Sequence, residues 1–333
     1  MVLILTRAEI LSVLKIDDTI EVVQRAHAAL ASQSAVQPER ANVQIPGSPS
    51  LMIPMVAATG PKAAGVKLLM DTPSNLARNL PTQQSTIVLV NPETGRCEAF
   101  LDGGGITLLR TAAASAVATR HLARSGPAVL GLIGAGAQAR AHLAAIQCVR
   151  EVDHVLVWSR TTATAARFAD ESAAGGVRVS VAASPEEVVR HADILCTLTP
   201  SQMPIVRGEW FPAGLHINAV GAPPRRDHRE IDTLGIVRSH VVVDSYDTAI
   251  EESGDVMIPV SEGAITLDHF RVELGEVING TRPGRRDDTE ITLYNSVGVG
   301  IQDIATARLA VDLAREAGLG TEIALNGRPP EKS

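Results

Sequence analysis

Aromatic side chains are nearly missing from these 333 residues: Phe, Tyr and Trp together make up 2%. The core must therefore be built from Ala, Val, Leu and Ile. That suits a parallel sheet covered by helices, whose doubly buried strands are rich in Val, Ile and Leu. The same scarcity leaves few side chains from which the size of a binding pocket can be read. Cysteine is also sparse. Cys97, Cys148 and Cys196 lie far apart with no CxxC or Cys/His spacing. A disulfide framework and a metal site are therefore not expected, and a reducing, cytoplasmic compartment fits. There is no basic tract and the formal net charge is −7, which argues against nucleic acid as a partner. No apolar stretch reaches the roughly 18 residues of a membrane span, so no membrane partner is expected. The Val2–Leu5 run is too short for the core of a signal peptide. What remains, with 45% hydrophobic and 20% charged residues, is ordinary for a globular protein that buries a sizeable core, and the length fits two domains.

The most informative segment is Val129-Leu-Gly-Leu-Ile-Gly134-Ala-Gly136-Ala-Gln-Ala139. A short apolar run leads into a Gly-x-Gly-x-x-Ala turn, and an alanine-rich helical stretch follows. Gly134 permits the tight turn, Gly136 lets the backbone approach a pyrophosphate, and a small third residue lets helix and strand pack closely. The helix N-terminus then offers unpaired N–H groups to the anion. A second strand, His154–Trp158, ends in Ser159-Arg160-Thr161, with no acidic residue between Asp153 and Asp170. An acid at this place favours NAD, whereas an arginine accommodates the extra phosphate of NADP. Two hydroxyls and a guanidinium suit a phosphate dianion, so NADPH is expected, with NADH as the alternative. The plainer reading is that Thr161 caps the next helix and Arg160 is a solvated surface side chain.

Along the chain, Thr6-Arg-Ala-Glu9 is a capping box before a helical pattern. Ile20–Ala31 reads as a second helix. Ser85–Val90 and Cys97–Leu101 flank a turn at Asn91–Gly95 and read as a hairpin. Thr107–Leu122 is an alanine-rich helix. From Ala128, strands at 129–133, 154–158, 177–181, 193–198, 215–220 and 240–244 alternate with helical or turn segments, and Ser184-Pro-Glu-Glu187 is another capping box. Ile291–Ala317 again reads as helix. The expected fold is α/β: a Rossmann-type doubly wound parallel sheet over 119–299, plus a mixed α+β substrate and dimerisation domain built from 1–118 and 300–333.

Several segments together resemble the ornithine cyclodeaminase/μ-crystallin family. They are Gly65-Val-Lys67, Leu80-Pro-Thr82-Gln, Leu101-Asp-Gly103, Thr107–Ser115, Gly134–Gln138, His216–Gly221, Glu252–Asp255 and Glu273–Glu276. The resemblance runs from about Thr6 to Leu313. It implies a homodimer whose first domain carries the substrate groups, with the active site between that domain and the Rossmann domain. It assigns Arg40, Lys67 and Arg110 to the substrate or nicotinamide. It also gives Thr82, Ala137, Gln138, Thr197, Thr199, Val220, Gly221 and Ala222 to the nucleotide. The chemistry fits, since an imino acid carries a carboxylate, and a desolvated anion needs hydrogen-bonded cations. Arg40 can clamp it with two bonds while Lys67 adds a point charge. Lys67 interrupts an apolar run, pointing to a lined pocket or to a snorkelling side chain.

One departure sets the subclass. Cyclodeaminases of the family place a catalytic aspartate after the strand-end Val-Gly-x, and this chain has Pro223 there. Proline exchanges no proton. The resemblance is therefore nearest to the ketimine reductase branch. Asp227 reads as a turn or cap residue, and Glu252 or Asp255 as loop residues or as partners of a cationic nitrogen. The implied activity is NADPH-dependent reduction of a small cyclic imino acid, Δ1-pyrroline-2-carboxylate or Δ1-piperideine-2-carboxylate, to proline or pipecolate. Ornithine cyclodeaminase, amino-acid dehydrogenase, hydroxyproline dehydratase and a non-catalytic small-molecule binder are the alternatives.

Overall fold

In the computed structural model, which describes residues 1–60 and 63–325, the chain divides into two units. One is Met1–Arg110 with Val299–Ser333, and the other is Thr111–Gly298. Residues 326–333 of the expected first domain lie outside the described residues.

The first unit is a mixed seven-stranded sheet. Its strands are β1 (Val2–Leu5), β2 (Val43–Gln44), β3 (Leu51–Ala58), β4 (Ala64–Asp71), β5 (Gln83–Val90), β6 (Cys97–Asp102) and the chain's last strand, β15 (Thr321–Ile323), in the order β15-β1-β6-β5-β4-β3-β2. Only β1 and β6 run parallel. The hairpin read at Asn91–Gly95 is β5 and β6, antiparallel. Helices α1 (Arg7–Val13) and α2 (Ile16–Ala31) precede the long sheet strands, and the Thr6–Glu9 capping box forms with both reciprocal bonds. Along β4, Lys67, Leu69 and Asp71 face inward while Leu68 is exposed, the period of two that a half-buried strand imposes. Leu5, Ile87, Leu89, Leu101, Ile301 and Ile304 form much of the core beneath the sheet.

Helix α3 (Gly103–Leu122) carries the chain from the first unit into the second. There eight parallel strands follow: β7 (Ala128–Ile133), β8 (Val152–Trp158), β9 (Val179–Val181), β10 (Ile194–Thr197), β11 (His216–Ala219), β12 (His240–Val243), β13 (Val272–Glu273) and β14 (Thr292–Asn295). Their order is β13-β12-β14-β11-β10-β7-β8-β9, a doubly wound α/β sheet. Helices α4 (Ala137–Gln147), α5 (Thr162–Ala174), α6 (Pro185–His191), α7 (Thr233–Val237), α8 (Tyr246–Glu252), α9 (Gly254–Ser261) and α10 (Leu274–Ile278) cover it.

Two readings of the sequence need correction. Ile291–Ala317 is not one helix. Thr292–Asn295 is strand β14, buried between β11 and β12, and helix α11 starts only at Gly300 and runs to Glu316. A short apolar run buried on both sides carries no period that separates strand from helix. At Ser184 only half a capping box forms. Ser184 accepts from the Glu187 N–H, but the Glu187 carboxylate takes the N–H of Ala183 instead of that of Ser184. No described helix is long and apolar enough to cross a membrane.

Candidate active site

In the second unit the glycine turn caps β7. Gly134 has φ +112°, a conformation that side chains disfavour, and a Cβ there would lie 2.9 Å from the Leu198 carbonyl oxygen. Gly136, the N-cap of α4, is different. A Cβ on it would meet nothing within 4 Å, and no side chain caps the helix. Ala139 is fully buried against the sheet, and the buried Gln138 Oε1 has no hydrogen-bond partner among the described residues. An open cradle over uncapped N–H groups has the form that a pyrophosphate requires. Ala137 opens the helix beside it. These residues fit a dinucleotide.

At the end of β8, Arg160 and Thr161 are exposed and Ser159 is partly so. Thr161 stands at the N-cap position of α5, but its hydroxyl makes no capping bond. The plainer reading of Thr161 as a cap is therefore not met, and its hydroxyl is left for an anion.

The turns after β10 and β11 meet on a residue that the sequence reading passed over. The Glu230 carboxylate accepts from Thr197 Oγ1, Thr199 N, Thr199 Oγ1 and Gly221 N, each at 2.7 Å. Behind it, Asp255 Oδ1 accepts the backbone N–H of Glu230 at 3.1 Å and of Ile231 at 2.9 Å. Burial raises the pKa of Glu230 even against its four bonds, and it pushes Asp255 up to about 7. Thr197 is 0% exposed. With no surface of its own, it bonds to Glu230 beneath the turn.

Val220, Ala222, Pro223, Glu252, Asp255 and Asn295 line a small cleft beyond β11 and β14. Pro223, where a cyclodeaminase would carry its aspartate, is thus in the cleft. Asp227 is not: it sits in an exposed turn, bonded to His228 and Gln202.

The first unit holds the cations. Lys67 lies mid-strand in β4, paired in register with Met55 and Ile87, and is 1% exposed. Its ammonium donates to Thr107 Oγ1 at 2.7 Å and to Asp303 Oδ1 at 3.0 Å. Arg110 Nε donates to the same oxygen at 3.0 Å, and Arg110 Nη1 donates to Gln302 Oε1 at 2.8 Å. The Gln302 amide nitrogen faces His27 Nε2 at 2.9 Å, and burial holds His27 uncharged with a pKa of about 4. Burial lowers the Lys67 pKa to about 8; Asp303 resists this, while the charges of Arg110 and Arg40 add to it. The structure therefore brings Lys67 and Arg110 onto one carboxylate oxygen of Asp303, with Arg40 near enough for its charge to act on Lys67. Thr82 stands apart at the turn before β5, its carbonyl accepting the N–H of Thr72 at 2.7 Å.

Asp303, Gln302 and His27 escaped the sequence reading. The available signal was a pair of polar residues, Gln302 and Asp303, on the apolar face that Ile301, Ile304 and Ala307 give to α11. Among the described residues no cluster of His, Cys, Asp or Glu is arranged to hold a metal ion.

The chain matches the ornithine cyclodeaminase/mu-crystallin family over residues 2–318. A Δ1-pyrroline-2-carboxylate reductase of Bacillus cereus is 36% identical over 313 residues, covering 91% of this chain and 94% of its own. The solved Δ1-pyrroline-2-carboxylate reductase of Thermococcus litoralis, in complex with NADH and L-proline, has a TM-score of 0.92 at 37% identity. It covers 96% of this chain and 100% of its own. An archaeal alanine dehydrogenase dimer with bound NAD also has a TM-score of 0.92, at 33% identity over 97% of this chain and 99% of its own.

Proposed function

The chain belongs to the ornithine cyclodeaminase/mu-crystallin family, and from that premise we propose that it is a nicotinamide-dependent oxidoreductase acting on C=N bonds. Its substrate would be a cyclic ketimine carboxylate, Δ1-pyrroline-2-carboxylate or Δ1-piperideine-2-carboxylate, and its product L-proline or L-pipecolate. The observation that carries the reading is the pairing of two buried cations, Lys67 and Arg110, with the same oxygen of Asp303, in the field of Arg40. Buried cations need hydrogen-bonded anionic partners, and an imino acid brings a carboxylate to which Lys67 and Arg110 can turn further N–H donors. Pro223 supports reduction over cyclodeamination, because the position at which a cyclodeaminase of the family would carry its aspartate offers no proton to exchange; Glu252 and Asp255 line the same cleft from other segments.

When bound, the reduced nicotinamide supplies the hydride. The chain's own part is to grip and orient. Arg110 is fixed by Asp303 and Gln302, so its guanidinium is pre-oriented for a planar carboxylate. Lys67, with a pKa near 8, is charged at neutral pH. It steadies the same carboxylate or passes a proton to the amine as it forms. The Gly134–Gly136 turn, with Ala137 and Gln138, holds the pyrophosphate, and Arg160 with Ser159 and Thr161 favours NADPH over NADH. Val220, Gly221, Ala222 and Thr82 are the remaining residues proposed to contact the nucleotide. Exposed Val36, Val56 and Leu68 on the outer face of the first sheet support a homodimer. Cys97, Cys148 and Cys196 are not joined in disulfides, which supports a cytoplasmic location.

The test is NADPH oxidation measured with both cyclic imines, run beside ammonia release from ornithine. Stoichiometric loss of NADPH with an imine is expected. Ammonia from ornithine without net NADPH consumption would replace the reading with cyclodeamination.

A further inference from the structure

Glu230 stands among turns that a dinucleotide must lie against, but it is buried beneath them. Its carboxylate is 0% exposed and takes two donors on each oxygen: the amide and hydroxyl of Thr199 on Oε1, and Thr197 Oγ1 with the Gly221 amide on Oε2. The residue is pinned by its backbone as well. Its carbonyl accepts from Ile205 N at 2.9 Å and Val206 N at 3.0 Å, and its own N–H is held by Asp255. The turns it laces end adjacent strands, β10 and β11, and β10 in turn neighbours β7. They also interlock sterically. A Cβ on Gly221 would fall 2.1 Å from Thr199 N, and one on Gly134 would fall 2.9 Å from Leu198 O. No ion pair offsets this buried charge among the described residues, and a desolvated carboxylate costs several kcal/mol. The four donors fit a carboxylate whose lone pairs all accept, and they come from the two turns that open α/β sheets present to ligands.

We propose that Glu230 is the positioning residue that sets the spacing of the Thr197–Thr199 and Gly221–Ala222 turns, and through them the seat of the nicotinamide cofactor. The inference rests on the nicotinamide reading but not on the identity of the imine. A glutamine at this place cannot reproduce the site. Whichever way its amide turns, the NH2 group faces one of two fixed backbone N–H groups, that of Thr199 or that of Gly221. One turn must then move.

The experiment is titration of NADPH and NADH by nicotinamide fluorescence, with steady-state kinetics alongside. In Glu230→Gln, Kd and KM for the cofactor should rise about tenfold or more, as loss of a charged hydrogen-bond acceptor implies. The kcat at saturating cofactor and the KM for imine should stay within about twofold. A purely structural role would lower kcat through the active fraction and leave the cofactor Kd unchanged, which overturns the proposal. Thr197→Val is the second arm, needed if Glu230→Gln does not fold. Thr197 has no exposed surface, and this substitution removes its hydroxyl bond to Glu230 while leaving its backbone bonds to Val220 and Gly221 in place, so a rise in cofactor Kd is expected. An unchanged Kd in that variant overturns the proposal. Binding needs no imine, so failure of the imine reading leaves the titration decisive. A wild-type chain that binds neither cofactor sinks the nicotinamide reading and this inference together.

Discussion

In the first unit, buried charge is of both signs and is met by ion pairing: Lys67 and Arg110 share one oxygen of Asp303, with Arg40 adding its field. In the second unit, buried charge is acidic and is answered by amides and hydroxyls, four of them on Glu230 and two backbone N–H groups on Asp255. The two arrangements are built for different work. Cations that share one carboxylate oxygen keep further N–H donors for an incoming anion, whereas a carboxylate with every lone pair occupied has nothing to offer a ligand and fixes the geometry of the groups around it.

The sharpest way to break that contrast is Lys67→Ala. It removes one of the two cations on Asp303 and leaves Asp303 paired with Arg110. Turnover should fall by about 10²–10⁴, the range for losing a positioned proton donor or charge, while NADPH affinity stays as in the wild type. Near-normal turnover would end the assignment. The same residue predicts a pH limb: activity of the wild type declines as pH rises through about 8, where Lys67 loses its proton. Stability moves the other way. The folded pKa lies below the ordinary 10.5, so the unfolded chain holds this proton more tightly, and the cost of burying the charge is released between about 8 and 10.5.

The sequence made the nucleotide half legible because its signals are local. Gly134, Gly136 and Ala139 sit within one turn, and Ser159–Thr161 directly follow a strand. Arg40, Lys67 and Arg110 came from resemblance rather than spacing, and the structure does group them. What holds them was not legible. Asp303 lies 236 residues from Lys67 along the chain, and an acid on an apolar helix face looks no different in sequence from one at a helix surface. Glu230 stayed hidden for the same reason: its partners come from two other loops, and nothing in Arg229-Glu230-Ile231-Asp232 marks the first acid as buried and the second as the N-cap of α7. Strand β14 escaped because a four-residue buried run has no period to read.

Acid separates the units by a smaller margin. His27 in the first, and His142 and His216 in the second, are kept uncharged by burial, with pKa values of about 4, about 4 and about 3. As pH falls below 6.5 the unfolded chain takes up protons that these folded histidines refuse. Each therefore withdraws about 1.4 kcal/mol of stability per pH unit. In the second unit the acids act with the opposite sign. Burial raises the pKa of Asp255 to about 7 and lifts that of Glu230, so the fold takes up their protons before the unfolded chain does and gains stability on acidification. The first unit's cluster has no such offset. Burial pushes the Asp303 pKa up, but Arg110 and Lys67 outweigh it and hold the value low, so its contribution is also lost in stronger acid. Hydrogen exchange, corrected for intrinsic rates, should therefore quicken in β4 and helix α11 between pH 7 and 5 while β10 and β11 change little. Equal quickening in both would remove the distinction between an ion cluster and a hydrogen-bonded acid pair.

The smallest expected effect concerns a charge that is not buried at all. Arg160 is exposed at the end of β8, beside a threonine whose hydroxyl does not cap its helix. A solvated guanidinium contributes little to the fold, so Arg160→Ala should leave the melting temperature unchanged. Against the extra phosphate of NADPH it has a dianion to bind, and a charged hydrogen bond of that kind corresponds to about a tenfold change in Kd. NADH lacks that phosphate, and its affinity should move by less than about twofold in the same titration. If the wild type binds NADH more tightly than NADPH, Arg160 plays no part in cofactor choice. The two hydroxyls and the guanidinium at this strand end are then surface groups like any others.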